Sequence, residues 1–128
     1  MVITRVFEIK TDGKLTLIDI SGQVERLLRN SRLAEGIVTV FIPGNTVALT
    51  TVTCEGGKTS NQEQIWQKLQ IFGSEPAETQ LKTALIGTSL TVPFSRGQMH
   101  LDTWQQIVLV DFGQGERWHQ ITVQMQGE

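Results

Sequence analysis

Residues 105–125, QQIVLVDFGQGERWHQITVQM, decide how the chain is read. The first part, residues 105–112, is apolar at even and odd positions alike, so it predicts a strand buried on both faces. Gly113-Gln114-Gly115 reads as a tight turn. The remainder alternates with period two. His119, Ile121, Val123 and Met125 share one face, and Trp118, Gln120, Thr122 and Gln124 share the other. Asp111 lies inside the apolar run, and a buried carboxylate needs a partner. Arg117, just across the turn, is the nearest candidate for a structural ion pair.

The same periodicity organises the rest of the chain. Residues 2–10 alternate, with Ile3, Phe7 and Ile9 on the more apolar face, and Thr11-Asp12-Gly13-Lys14 is a hairpin signal before a return strand over residues 15–20. Ser21 is placed to cap a helix carrying Val24, Leu27 and Leu28 at i, i+3 and i+4. GIVTVFI (residues 36–42) is β-branched and apolar, a central strand that Pro43-Gly44-Asn45 interrupts before TVALTTVT (residues 46–53). A glycine loop, CEGGKTSN, leads to a second helix over residues 62–72, with Ile65, Trp66, Leu69 and Phe72 in one stripe. A short loop runs to Glu78, a helical turn covers Leu81 to Leu85, and strands follow over residues 89–94 and 98–101. This order is α+β, with two main helices and a largely antiparallel sheet that leaves room for one parallel pair around the first helix.

Composition narrows the class without naming it. A chain of 128 residues suits a single domain spanning residues 1–128. With 11 basic against 13 acidic residues there is no global pull toward nucleic acid or anionic lipid. No apolar run reaches the length of a bilayer, and MVITRVFEIK lacks the apolar core of a leader, so a cytoplasmic location is expected. Two histidines and one cysteine make metal and nucleophilic chemistry scarce.

Each chemical candidate has a plain structural alternative. His100 and His119 are too few for a structural zinc and read as partly exposed strand residues. Cys54 enters a loop where Lys58 or a helix N-terminus would activate a thiol, or it is a small apolar residue closing a strand. Gly56-Gly57-Lys58-Thr59 resembles a fragment of a phosphate-binding loop, but Val52 stands where the first glycine is required.

Leu85-Ile86-Gly87-Thr88-Ser89-Leu90-Thr91-Val92-Pro93, then Gly97, then Leu101 and Thr103-Trp104-Gln105, resembles the YjbQ-like family. That family shows LLG-x-S-x-x-[IV]-P followed by G-x-L-x-L-G-T-W-Q. Asp19-Ile20-Ser21, the residues 36–43 (GIVTVFIP), and Thr46, Ala48, Leu49 and Thr50 are also similar, so the likeness runs from about Thr16 to Val123. It implies a small cytoplasmic α+β protein whose mixed, largely antiparallel sheet curves into a half-barrel. It also implies a homotrimer with a site near the subunit interfaces and a secondary thiamine-phosphate synthase activity.

The departures fall on the site. Where the family has Pro-His-Thr-Thr-Ala, this chain has Pro43-Gly44-Asn45-Thr46-Val47. The family's Asn-Glu falls on Val52-Thr53, with Glu55 two residues on, and its loop rich in His and Gly is shortened to residues 73–78. Its Ala-His-Ile-Lys falls on Thr79-Gln80-Leu81-Lys82, and the glycine of its GTWQ block is Asp102. Both site histidines are therefore gone, and a glutamine amide moves no proton near neutral pH. Two expectations follow. One is a non-catalytic trimeric scaffold or small-ligand-binding protein, with the family-type metal site lost and no cofactor. The other is an enzyme retaining the family's activity through Gly44, Thr46, Glu55, Gln80, Lys82, Ser89 and Thr103, positions suited to a small anionic or phosphorylated ligand.

Overall fold

Alternating apolar residues make the strands, and their pairing divides them between two antiparallel layers. The structure, a computed structural model, describes residues 1–12, 16–53, 76–113 and 115–128. The elements are β1 (Val2–Thr11), β2 (Thr16–Asp19), α1 (Ser21–Ser31), β3 (Gly36–Phe41), β4 (Val47–Thr53), α2 (Pro76–Ile86), β5 (Ser89–Ser95), β6 (Gln98–Met99), β7 (Gln105–Asp111) and β8 (Arg117–Gly127). The helix expected over residues 62–72, with Cys54, Glu55 and the Gly56–Thr59 loop, lies outside the described residues.

Five strands pair in the order β1-β8-β3-β5-β6 and three in the order β2-β7-β4, the whole curling into a half-barrel. All described pairs are antiparallel, so the parallel pair allowed for around α1 is not formed. Nor do the expected hairpins form at residues 11–14 and 113–115. β1 pairs with β8 while β2 pairs with β7, and the chain crosses from one layer to the other at each of those turns. It crosses again between β3 and β4, at Pro43-Gly44-Asn45.

Val38 and Val40 on β3, Val92 and Phe94 on β5, and Ile121, Val123 and Met125 on β8 meet Val47, Leu49, Ile107 and Leu109 of the three-stranded layer in the main core. α1 adds Val24 and Leu28. The opposite face of the three-stranded layer carries Ala48, Val52, Val108, Val110 and Phe112, packed against Ile86 at the end of α2. β7 thus reads as apolar throughout because it has a core on each side.

Two local expectations change. Ser21 does not cap α1: its Oγ accepts the N–H of Ile107 at 2.8 Å, and Asp19 Oδ1 accepts the N–H of Ser21 at 2.9 Å. Ile20 N–H donates to Ile107 O at 2.9 Å, which extends the β2–β7 pairing into the helix start and takes the serine with it. The loop expected up to Glu78 is shorter, because Pro76 opens an 11-residue helix with Glu78 in its first turn. Proline suits that first position, where its missing N–H costs nothing.

Among the described residues, left-handed backbone outside glycine falls on Trp104 (φ 69°) and on two arginines. Arg32 ends α1 with φ 61°, and Arg96 (φ 55°) precedes Gly97 (φ 72°) in the two-residue β5–β6 turn. A side chain in that region costs about 1–2 kcal/mol relative to glycine. Gly36 is placed differently. A Cβ there, at φ +156°, would lie 1.9 Å from the Gln126 carbonyl oxygen, where β3 and β8 close on each other. Gly36→Ala should therefore destabilise the fold by about 2–3 kcal/mol. A shift of the urea midpoint to lower concentration at unchanged slope is the expected reading.

Candidate functional site

The layer crossings bring together a polar cluster that spacing alone does not foretell. Asp111 ends β7 fully buried, and Thr11, at the end of β1, and His119, on β8, are buried beside it. Thr11 Oγ1 donates to Asp111 Oδ2 at 2.5 Å, His119 Nε2 stands 3.0 Å from the same oxygen, and Gly113 N–H donates to Oδ1 at 2.7 Å. His119 Nε2 is also 3.1 Å from Thr11 Oγ1. The Thr11 proton goes to the carboxylate, so the arrangement is satisfied when His119 carries its proton on Nε2. Three nearby donors let the interior hold a carboxylate.

Asp111 therefore does not pair with Arg117. The exposed Arg117 guanidinium reaches Thr46 Oγ1 at 3.3 Å instead. His119 is buried, while His100 is exposed with its Nε2 2.8 Å from Ser95 Oγ. The signal for His119 was its place on one face with Ile121, Val123 and Met125. Among the described residues no group of three His, Cys, Asp or Glu is placed to hold a metal.

The other expected site residues divide between two places. Thr46 O accepts the N–H of Phe112 at 2.8 Å, and Lys82, buried on α2, sets its Nζ 5.5 Å from the centroid of the Phe112 ring. Thr46 and Lys82 thus both meet Phe112, the first at its backbone N–H and the second over its ring. Ser89 belongs to a groove of about 380 Å³ lined also by Thr50, Pro93, His100, Leu101 and Gln105. Apart from His100, these residues belong to the family-like blocks, which here form one continuous surface. Gln105 shapes that surface: its Nε2 donates to Thr51 Oγ1 at 3.1 Å and its Oε1 accepts the Asp102 N–H at 3.0 Å. Gly44, Gln80 and Thr103 are exposed, and Glu55 lies outside the described residues.

Position 44 is shaped around glycine. Its φ is +147°, and a Cβ there would stand 3.0 Å from Cγ2 of the buried Val47. With Gly44 here and a neutral amide at position 80, these positions do not fit a histidine-bound metal or a histidine acid or base.

Replacing the buried carboxylate should be costly and replacing the exposed arginine should not. Asp111→Ala is expected to lower stability by about 3–5 kcal/mol, because Thr11, His119 and the Gly113 N–H lose their acceptor. Arg117→Ala is expected to stay within about 0.5 kcal/mol. Urea unfolding of the two variants checks the assignment.

Comparison with known proteins agrees with this architecture. Residues 5–128 match the family described as UPF0047 protein YjbQ-like. A UPF0047 protein of Archaeoglobus fulgidus is 32% identical over 123 residues, covering 90% of this chain and 94% of the relative. A hypothetical protein of Aeropyrum pernix superposes with a TM-score of 0.89 at 24% identity, covering 98% of this chain and 99% of that one. A YbjQ-like protein of unknown function from Sulfolobus solfataricus gives 0.84 at 26% identity, with all of both chains covered. The architecture is therefore that of a shared fold, and this chain belongs to the YjbQ-like UPF0047 family.

Proposed function

We propose that this chain is a non-catalytic family member acting as a homotrimeric scaffold or small-ligand-binding protein in the cytoplasm. The geometry at position 44 carries the reading. Its left-handed backbone and the buried Val47 beside it leave the place of the family histidine organised around glycine. Gln80, at the second such place, is an exposed amide. Among the described residues no helix is long and apolar enough to cross a membrane.

The outer face of the five-stranded layer supports self-assembly. Register places Val2, Gln126 and Ile37 in one row and Val6, Thr122 and Phe41 in another, with Trp118 on the same face opposite Lys10. Val2, Val6, Ile37, Phe41 and Trp118 are between 39% and 66% exposed. An apolar face of this extent is suited to cover by another copy. Trp104, in the family-like block and inside the turn closed by the Gln105 N–H to Asp102 O bond, is also half exposed.

A second reading, an enzyme with thiamine-phosphate synthase-like activity, draws support from Lys82. A buried ammonium against an aromatic ring is held more tightly than a surface lysine. One assay separates the readings. Purified protein should form no thiamine phosphate above the blank, whereas turnover abolished by Lys82→Ala or Glu55→Gln would establish the enzyme. Light scattering should give three times the 14.3 kDa chain mass. Phe41→Glu should release monomers, and a monomeric parent protein would refute the assembly.

A further inference from the structure

A second groove lies away from positions 44, 46, 80 and 82, where the end of α1 meets the β5–β6 turn. It holds about 600 Å³, within the range of pockets that take nucleotide-sized molecules. Arg29, Arg32 and Arg96 line it, with Gln98 beside them and the buried Leu28 and Leu33 forming an apolar floor. The turn is tied to the chain after α1 by Gly97 N–H donating to Ala34 O at 3.0 Å, which holds Arg96 beside Arg32.

Three features of this groove need a common cause. First, three permanently charged groups of one sign converge from two separate segments. The ion pairs found among the described residues, Lys10 with Glu116 and His119 with Asp111, involve none of them. Glu25, one turn before Arg29, faces an adjoining groove and makes no ion pair with it among the described residues. Second, Arg32 and Arg96 both stand in left-handed backbone, at a helix end and at a two-residue turn where Gly, Asn or Asp is favoured. Strain kept at two positions that share a groove points to a use for those side chains. Third, the floor is apolar, so the groove suits a ligand with an organic body as well as charge.

We infer that this groove binds a phosphorylated small molecule carrying at least two negative charges. Planar guanidinium forks match phosphate oxygens two at a time and remain charged at any working pH. Three of them balance a di- or triphosphate-like charge, Gln98 offers a neutral donor, and Leu28 and Leu33 receive the apolar part. This inference rests on neither the trimer nor the absence of catalysis.

Inorganic pyrophosphate is the probe, followed by calorimetry and by thermal unfolding at low salt. The parent protein should bind it and melt at a higher temperature in its presence. Arg32→Gly and Arg96→Gly should each weaken binding by roughly tenfold, and together they should remove the thermal shift. Without pyrophosphate the same variants should melt higher than the parent, because glycine relieves the left-handed strain. That opposite movement separates a ligand-binding role from a structural one. Lys82→Ala and Arg117→Ala should leave binding unchanged. No binding by the parent, loss of binding on Lys82→Ala, or a lower melting temperature for the glycine variants would each overturn the assignment.

Discussion

Asp111 accepts from a threonine hydroxyl, a backbone N–H and a histidine, and those three groups belong to the points where the chain changes layer. Thr11 ends β1 before the first crossing, Gly113 lies in the last, and His119 is on the strand that follows it. Thr46, which follows the crossing between β3 and β4, is joined to the same corner through the Phe112 N–H. A carboxylate alone in this interior would be prohibitive, and with its donors it is a fixed point. In register Asp111 stands opposite Thr16 on one side and Val47 on the other, so a slip of β7 against those neighbours carries the carboxylate away from Thr11 and His119. The apolar cores make the two layers pack, and Asp111 sets where they meet.

This division of labour separates the residues that hold the fold from those at positions 44 and 80. The corner at Asp111 and the groove shaped by Gln105 are held by hydrogen bonds that side chains make to backbone and to side chains of separate segments. Position 44 sits on an exposed crossing, where the local backbone accepts glycine and Val47 fills the space behind it. Nothing in the packing of the layers depends on a side chain there. The two layers pack as they do with glycine at position 44 and an exposed amide at position 80.

Much of the fold was legible in the sequence and some of it was not, for reasons visible in particular residues. The strands at residues 36–41, 105–111 and 117–127 follow from alternation and from a run apolar on both faces. Their pairing was not legible, since Thr11-Asp12-Gly13-Lys14 and Gly113-Gln114-Gly115 have hairpin composition while the chain crosses layers there. Turn residues report a local bend and not which strand the chain rejoins. Arg117 was the partner nearest to Asp111 in sequence, but it lies at the rim, opposite Thr11. His119, two residues further in, reaches the interior. Of the expected site residues, Thr46 meets the Phe112 backbone N–H, Lys82 lies over the Phe112 ring, Ser89 lines the groove beside Thr50 and Gln105, and Gly44, Gln80 and Thr103 are exposed. The arginine groove escaped detection because its residues come from the end of one helix and a distant turn, and backbone conformation is not written in residue type.

The most direct test of the central claim is a double-mutant cycle between Asp111 and His119. Asp111→Asn, His119→Gln and the double variant are unfolded in urea, and the coupling is taken from the four stabilities. A buried contact that fixes the meeting of two layers predicts a coupling of about 1.5–3 kcal/mol. Additive losses, with a coupling indistinguishable from zero, would mean that the two layers are held by apolar packing alone and that Asp111 is not the point on which they depend.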